Sequence, residues 1–78
     1  MMYVYILESE AGEQRYIGVT SDLKDRISRH NSGQVIHTSK YAPWVLANYF
    51  AFRDEAKAHA FEKYLKSGSG RAFAKKHF

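Results

Sequence analysis

Cysteine is missing from the 78-residue chain, which excludes a disulfide scaffold and any thiolate metal site. Long apolar runs are missing too. Nothing approaches the roughly 20 apolar residues that a membrane-spanning helix needs. The opening MMYVYIL has no basic stretch before it and no small-residue cleavage site after it, so it does not read as a signal peptide. These absences lead to the expectation of a soluble, cytoplasmic protein. Repeats, low-complexity stretches and linkers are also lacking, and the length leaves room for one domain, expected to be residues 1–78.

Aromatic side chains are plentiful, with six Tyr, five Phe and one Trp. So small a core needs them, because each buries a large apolar area. Basic residues exceed acidic ones, 12 against 8, for a net charge of +4. The excess is not spread evenly. Residues 1–52 hold five Lys/Arg and five Asp/Glu, whereas residues 53–78 hold seven and three. A basic last third that includes Lys63, Lys66, Arg71, Lys75 and Lys76 suits a polyanion such as nucleic acid. A solvated helix face is the plainer alternative.

Hydrophobic patterning gives the order β-β-α-β-α-α. Tyr3–Leu7 and Tyr16–Val19 read as two strands of an antiparallel hairpin, joined by the polar stretch Glu8–Arg15 with Gly12 as its turn signal. Thr20, Ser21 and Asp22 offer cap oxygens for a helix on which Leu23, Ile27 and His30 recur at helical spacing. Asp22 with Arg26, and Asp25 with Arg29, are spaced to pair on its surface. Asn31-Ser32-Gly33 ends that helix, Gly33 taking the left-handed cap. Residues 34–43 read as a loop ending at Pro43, and Trp44–Phe52 as a third strand. Asp54 caps a second helix with an apolar stripe of Ala58, Phe61 and Leu65, and Tyr64 beside it. Gly68-Ser69-Gly70 reads as a break, and Arg71–Phe78 as a last helix packed through Phe73 and Phe78. The expected fold is α+β, a three-stranded antiparallel sheet flanked by helices.

Five polar residues stand out against this frame. Tyr5 and Tyr16 lie on the two hairpin strands, which run about 4.8 Å apart, so their hydroxyls can approach each other. Gly18 permits a close approach beside Tyr16. Arg26 and His30 share a helix face, and Glu62 sits on a helix that must pack on the same sheet. These types suit phosphodiester cleavage. A guanidinium stabilises phosphate charge. A single carboxylate together with substrate phosphates can hold a hard cation, which lowers the pKa of its bound water. Each residue also has a structural reading. The tyrosines can be core, Arg26 can bridge to Asp22, His30 can complement the helix dipole and Glu62 can pair with Lys66.

The joint pattern resembles a known family. Tyr3-Val4-Tyr5, followed after ten residues by Tyr16-Ile17-Gly18, is similar to the two tripeptides that name the GIY-YIG nuclease superfamily. Ser21 to Arg26 with His30-Asn31-Ser32-Gly33 resembles that family's first helix, and Glu62-Lys63-Tyr64-Leu65-Lys66 its metal-binding helix. The stretch Lys66 to Arg71 looks like the small stand-alone bacterial branch. Larger relatives include homing endonucleases, restriction enzymes and a DNA-repair incision subunit. The resemblance implies a metal-dependent endonuclease acting on DNA in repair or recombination, with one Mg²⁺ or Mn²⁺ on Glu62. By the same resemblance Tyr5 is the general base, Tyr16 positions water or phosphate and can share the base role, Arg26 holds the scissile phosphate, and His30 hydrogen-bonds a tyrosine or shuttles a proton. A tyrosine base needs its pKa brought from about 10 to about 7, roughly 4 kcal/mol, which Arg26 and a metal would have to supply. No Asn follows Glu62 where the family often has one. With the basic tail, this motivates a non-catalytic nucleic-acid-binding module as the alternative. A third reading is a partner-binding domain, in its simplest form a homodimer, because so small a chain gains burial by self-association.

Overall fold

The structure is a computed structural model that describes residues 1–10 and 14–78. Its elements are strands β1 (Met2–Ser9), β2 (Arg15–Thr20) and β3 (Trp44–Phe52), and helices α1 (Leu23–Asn31), α2 (Ile36–Ser39), α3 (Glu55–Lys66) and α4 (Gly68–His77). The sheet order is β2-β1-β3, antiparallel throughout, so the expected α+β architecture is the one observed. Both hairpin strands run further than their apolar cores suggested, and Glu8, Ser9 and Arg15 are strand residues rather than loop. Gly12, read as the turn signal, lies outside the described residues.

Strand β1 is the middle of the sheet, and its alternation sorts the molecule into two halves. Val4 and Ile6 point to one face, where they meet Ala58 and Leu65 of α3 and Ala74 of α4, all fully or almost fully buried. Phe50, Phe52, Phe61 and Phe78 close around that cluster. Tyr5 and Leu7 point to the other face and are buried with Trp44 against Leu23 and Ile27 of α1. Burying one Ile6- or Leu65-sized side chain stabilises the fold by roughly 1.5–3 kcal/mol.

Two sequence expectations need correction. Residues 34–43 are not a plain loop. They contain α2, one turn of helix that begins after Val35 and buries Thr38. The segment is tied down on both sides: the Trp44 indole donates to the Thr38 carbonyl at 2.9 Å, and Glu10 N–H donates to the Pro43 carbonyl at 3.1 Å. Nor does Gly68-Ser69-Gly70 lie between helices. It forms the first turn of α4, with Ser67 as N-cap accepting from Gly70 N–H at 3.1 Å. A side chain on Gly70 would run into the Tyr64 carbonyl and lie 2.8 Å from Leu65 Cα, so this glycine lets α4 turn back hard against the end of α3. The tight joint also changes how α4 packs. Gly70 and Ala74 are its buried residues, whereas Phe73 remains 39% exposed, touching the rings of Tyr64, His77 and Phe78.

The end of α1 follows its sequence signal. Gly33 has φ +80° just past the Ser32 cap, and Gln34 N–H donates back to the Arg29 carbonyl at 3.1 Å, the bond that closes a Schellman motif. Asn31 does more than its place at the helix end suggested. Its amide donates to the Trp44 carbonyl at 3.1 Å while its oxygen accepts from Trp44 N–H at 2.5 Å, fastening α1 to the start of β3.

Candidate active site

The α1 face of the sheet gathers Tyr5, Tyr16, Arg26 and His30, while Glu62 comes from α3. Tyr5 lies opposite Gly18 of β2 in the strand register, and Tyr16 lies opposite Leu7, so the two tyrosines are diagonal neighbours on one face. Their ring centroids are 6.1 Å apart. A Cβ on Gly18 would clash with the Tyr5 hydroxyl and lie 2.6 Å from its Cζ. The close approach that Gly18 permits is therefore the phenol of Tyr5, packed flat against β2.

His30 completes a chain of hydrogen bonds. It is fully buried one turn beyond Arg26, and α1 brings it between the two tyrosines, 4.7 Å from the Tyr16 ring centroid and 5.8 Å from that of Tyr5. The Tyr5 hydroxyl is 2.9 Å from Nε2, and Thr38 Oγ1 is 2.8 Å from Nδ1. The Thr38 hydroxyl donates to the Val35 carbonyl at 3.3 Å. With that proton committed, Oγ1 accepts from Nδ1–H, and Nε2 is left bare to accept from Tyr5 O–H. The network thus assigns a neutral imidazole of one tautomer. Burial, followed by the nearby Arg26 charge, lowers the His30 pKa below its usual value, which agrees with that assignment. Thr38 was missed at the sequence level. The only signal available was a hydroxyl residue in a polar stretch between a helix and a strand.

Tyr5 behaves differently from its sequence expectation. It is fully buried, and burial pushes its pKa up to about 12, with the neighbouring Tyr16 adding to the rise. The Arg26 charge and its hydrogen bonding pull the other way, as expected, while Glu62 adds a smaller rise. Burial outweighs Arg26, and Tyr5 is a neutral phenol whose proton is directed at Nε2 of His30. Tyr16 is only half-buried.

Arg26 is half-buried and has no ion-pair partner among the described residues. The neighbouring pair Asp25–Arg29 forms at 2.8 Å, but the anticipated Asp22–Arg26 pair does not. The Asp22 carboxylate instead caps α1, accepting from Asp25 N–H at 3.1 Å. The charge of Arg26 is thus left to act on Tyr5 and His30. Glu62 lies on α3 with a side chain 20% exposed, and Lys66 one turn on pairs with it at 2.8 Å. The plain structural reading of Glu62 is therefore realised, yet the carboxylate also contributes to the field at Tyr5. All five sequence-predicted residues are brought into one neighbourhood.

The fit to a metal can be judged from the donors. Among the described residues no group of three His, Cys, Asp or Glu side chains converges. A cage for zinc or calcium made from protein alone is thus not formed by them. A sheltered single carboxylate that already attracts a cation fits a hard ion that keeps most of its waters, as Mg²⁺ and Mn²⁺ do.

The five basic residues predicted to meet nucleic acid divide. Lys66, Arg71 and Lys75 line one open groove of about 1060 Å³, joined there by Arg15 and Tyr16. Lys63 and Lys76 are exposed but lie outside it. Among the described residues no helix is long and apolar enough to cross a membrane.

Comparison with known proteins agrees with the fold. The family model described as the GIY-YIG catalytic domain matches residues 1–76. The chain therefore belongs to the GIY-YIG family, whose domain implies a nuclease type of activity and a nucleic-acid substrate. Among solved structures it is similar to the solution NMR structure of a UPF0213 protein from Bacillus halodurans. The TM-score is 0.58 at 32% identity, covering 97% of this chain and 84% of that one. Among curated proteins none matches.

Proposed function

We propose that residues 1–78 act as one endonuclease domain that hydrolyses phosphodiester bonds in DNA, using one divalent ion, Mg²⁺ or Mn²⁺, held by Glu62. The observation that carries this reading is Arg26, a guanidinium without a carboxylate partner beside a Tyr5–His30–Thr38 hydrogen-bonded chain. A structural arginine would be neutralised. One that is left unpaired next to buried polar groups is placed to receive an anion, here the scissile phosphate.

The roles follow from burial and protonation. Arg26 holds the phosphate and stabilises the charge that grows on it. Tyr16, the half-exposed tyrosine, meets the attacking water, aligns it and accepts its proton. Tyr5 is a positioning residue. Its O–H fills Nε2 of His30 and fixes the imidazole against the Tyr16 ring. Taking Tyr5 from about 12 to neutrality would cost roughly 7 kcal/mol, which a bound ion together with Arg26 would have to supply before it could act as a base. Glu62 would hold the ion in exchange for Lys66. A bound ion would lower the pKa of its water and offset charge on the leaving oxygen.

Cleavage of plasmid and branched DNA with Mg²⁺ or Mn²⁺ tests the proposal, with wild type compared with Glu62→Ala and Arg26→Ala. Both variants should lose activity, by about 10²–10³ for Arg26→Ala. Activity that survives both changes rejects the site. A wild type that binds DNA but never cuts it supports the non-catalytic reading instead.

A further inference from the structure

The groove beside Tyr16 carries an inference about how the substrate lies. It runs between the start of β2 and α4, and its charged lining is Arg15, Lys66, Arg71 and Lys75 against the single acid Glu8. Glu8 is already answered by Arg15 at 3.3 Å. Arg71 and Lys75 have no ion pair among the described residues and stand four apart on α4, a helix without any acidic residue. Like charges at that spacing cost a helix about 0.2–0.5 kcal/mol, and no carboxylate pairs with either among the described residues. The groove is partly open to solvent, and at about 1060 Å³ it lies at the upper end of what a small-molecule pocket occupies. Such a shape suits a polymer better than an enclosed ligand.

The groove is also continuous with the candidate site. Tyr16 lines it and touches the His30 ring, and Lys66 lines it while pairing with Glu62. A second pocket, of about 490 Å³, has one cation, Lys24, and one acid, Asp22, among Tyr3, Leu23, Ile27 and Tyr49, and so lacks the basic lining of the groove.

We infer that this groove is the channel for the sugar–phosphate backbone of the strand being cut, on the side of the scissile phosphate that leads past Tyr16, with Arg15, Lys66, Arg71 and Lys75 as its phosphate contacts. The inference rests on the reading of the site as a nuclease centre. It adds Arg15 to the basic residues picked from sequence and sets Lys63 and Lys76 outside the path.

Binding without cleavage separates the two. Fluorescence anisotropy of a labelled DNA duplex, with EDTA present, is followed from 50 to 200 mM salt. Wild type is compared with Arg71→Ala/Lys75→Ala and with Lys24→Ala/Lys57→Ala, which removes the same charge elsewhere. Melting curves check that each double variant is folded. The groove variant should flatten the slope of log affinity against log salt by about 1.8, from two lost phosphate contacts, and the control should leave it unchanged. Equal slopes for the two double variants would overturn the channel. Failure of wild type to cut DNA with Mg²⁺ or Mn²⁺ would overturn the nuclease reading while leaving the salt slopes to decide the groove.

Discussion

The two faces of the sheet are made by alternate residues of the same strands, yet different interactions hold them. Under α3 and α4 the contacts are aliphatic and aromatic: Val4, Ile6, Ala58, Leu65 and Ala74 inside a ring of phenylalanines. Under α1 the buried set includes Tyr5, Trp44, His30 and Thr38, and direction matters there as much as volume. No buried side-chain polar atom among the described residues lacks a partner. The first face makes the fold stable. The second spends part of its burial on holding a few polar atoms in place. Apart from Glu62, which α3 carries, the candidate site residues belong to the second face, so stability and activity should be largely separable by choosing the face.

The sharpest break of that comparison sets Ile6→Ala against Arg26→Ala. Ile6 is fully buried in the aliphatic face, and its truncation should cost about 2–5 kcal/mol of stability. Arg26 is half-buried with no ion pair, so Arg26→Ala should move stability by about 0.5 kcal/mol or less while cutting the cleavage rate by about 10²–10³. Denaturant melts and rate measurements on the same two proteins check both halves. A large stability loss in Arg26→Ala would show that the arginine is structural.

Gly18 and Gly70 make the next pair. Adding a methyl at either drives a Cβ into an occupied position, the Tyr5 phenol in one case and the Tyr64 carbonyl in the other. Gly18→Ala should cost about 1–3 kcal/mol and displace the Tyr5 hydroxyl from His30. Gly70→Ala meets backbone, which cannot rotate away, and should cost at least as much while leaving the Tyr5–His30 bond intact. The His30 ring resonances, followed by NMR, distinguish the outcomes. Unchanged shifts in Gly18→Ala would show that the glycine does not hold the phenol in place.

The buried pair also gives the site face its own pH response. The His30 pKa is lowered in the folded state, so the unfolded chain takes up its proton first. Stability from burying neutral His30 is complete above about 6.5, the unfolded value, and is lost as pH falls below it. The Tyr5 pKa is raised to about 12 in the folded state, so its contribution is complete below about 10 and is lost as pH climbs from there. Melting temperatures between pH 5 and 8 should fall toward the acid end in wild type, and fall less in His30→Gln. Ultraviolet titration should show one late-ionising phenol that Tyr5→Phe removes. A phenol that still titrates late in that variant would place the burial elsewhere.

Much of this was legible in the sequence, for physical reasons. Alternating apolar residues showed the strands, and Asp22, Asp54 and Gly33 marked helix ends because local hydrogen bonding decides those. The five candidate site residues could be picked out by their order and spacing, read together with the family resemblance. What stayed hidden depended on tertiary contact. Thr38 looked like loop because only the packed His30 gives its hydroxyl a task. Gly68 to Gly70 looked like a break because glycine is a poor helix former, and only the clash at Gly70 shows why it must start α4. The rise in the Tyr5 pKa was out of reach, since burial depth set its sign.

The smallest test uses the two helix caps, which are chemically alike and sit on different faces. Asp22 accepts from Asp25 N–H at 3.1 Å at the start of α1, and Asp54 accepts from Lys57 N–H at 3.2 Å at the start of α3. Truncating either to alanine should cost about 1 kcal/mol, because the lost interaction is the same. The consequences should differ. The nine residues of α1 carry Arg26 one turn from the cap, so fraying there reaches the proposed phosphate contact directly. In α3, Glu62 lies two turns from Asp54, and Ala58 and Leu65 clamp the helix to the core between and beyond them. Asp22→Ala should therefore lower cleavage more than Asp54→Ala at matched stability. Equal losses of activity would mean that the site face takes its geometry from overall stability, and not from the local order of α1.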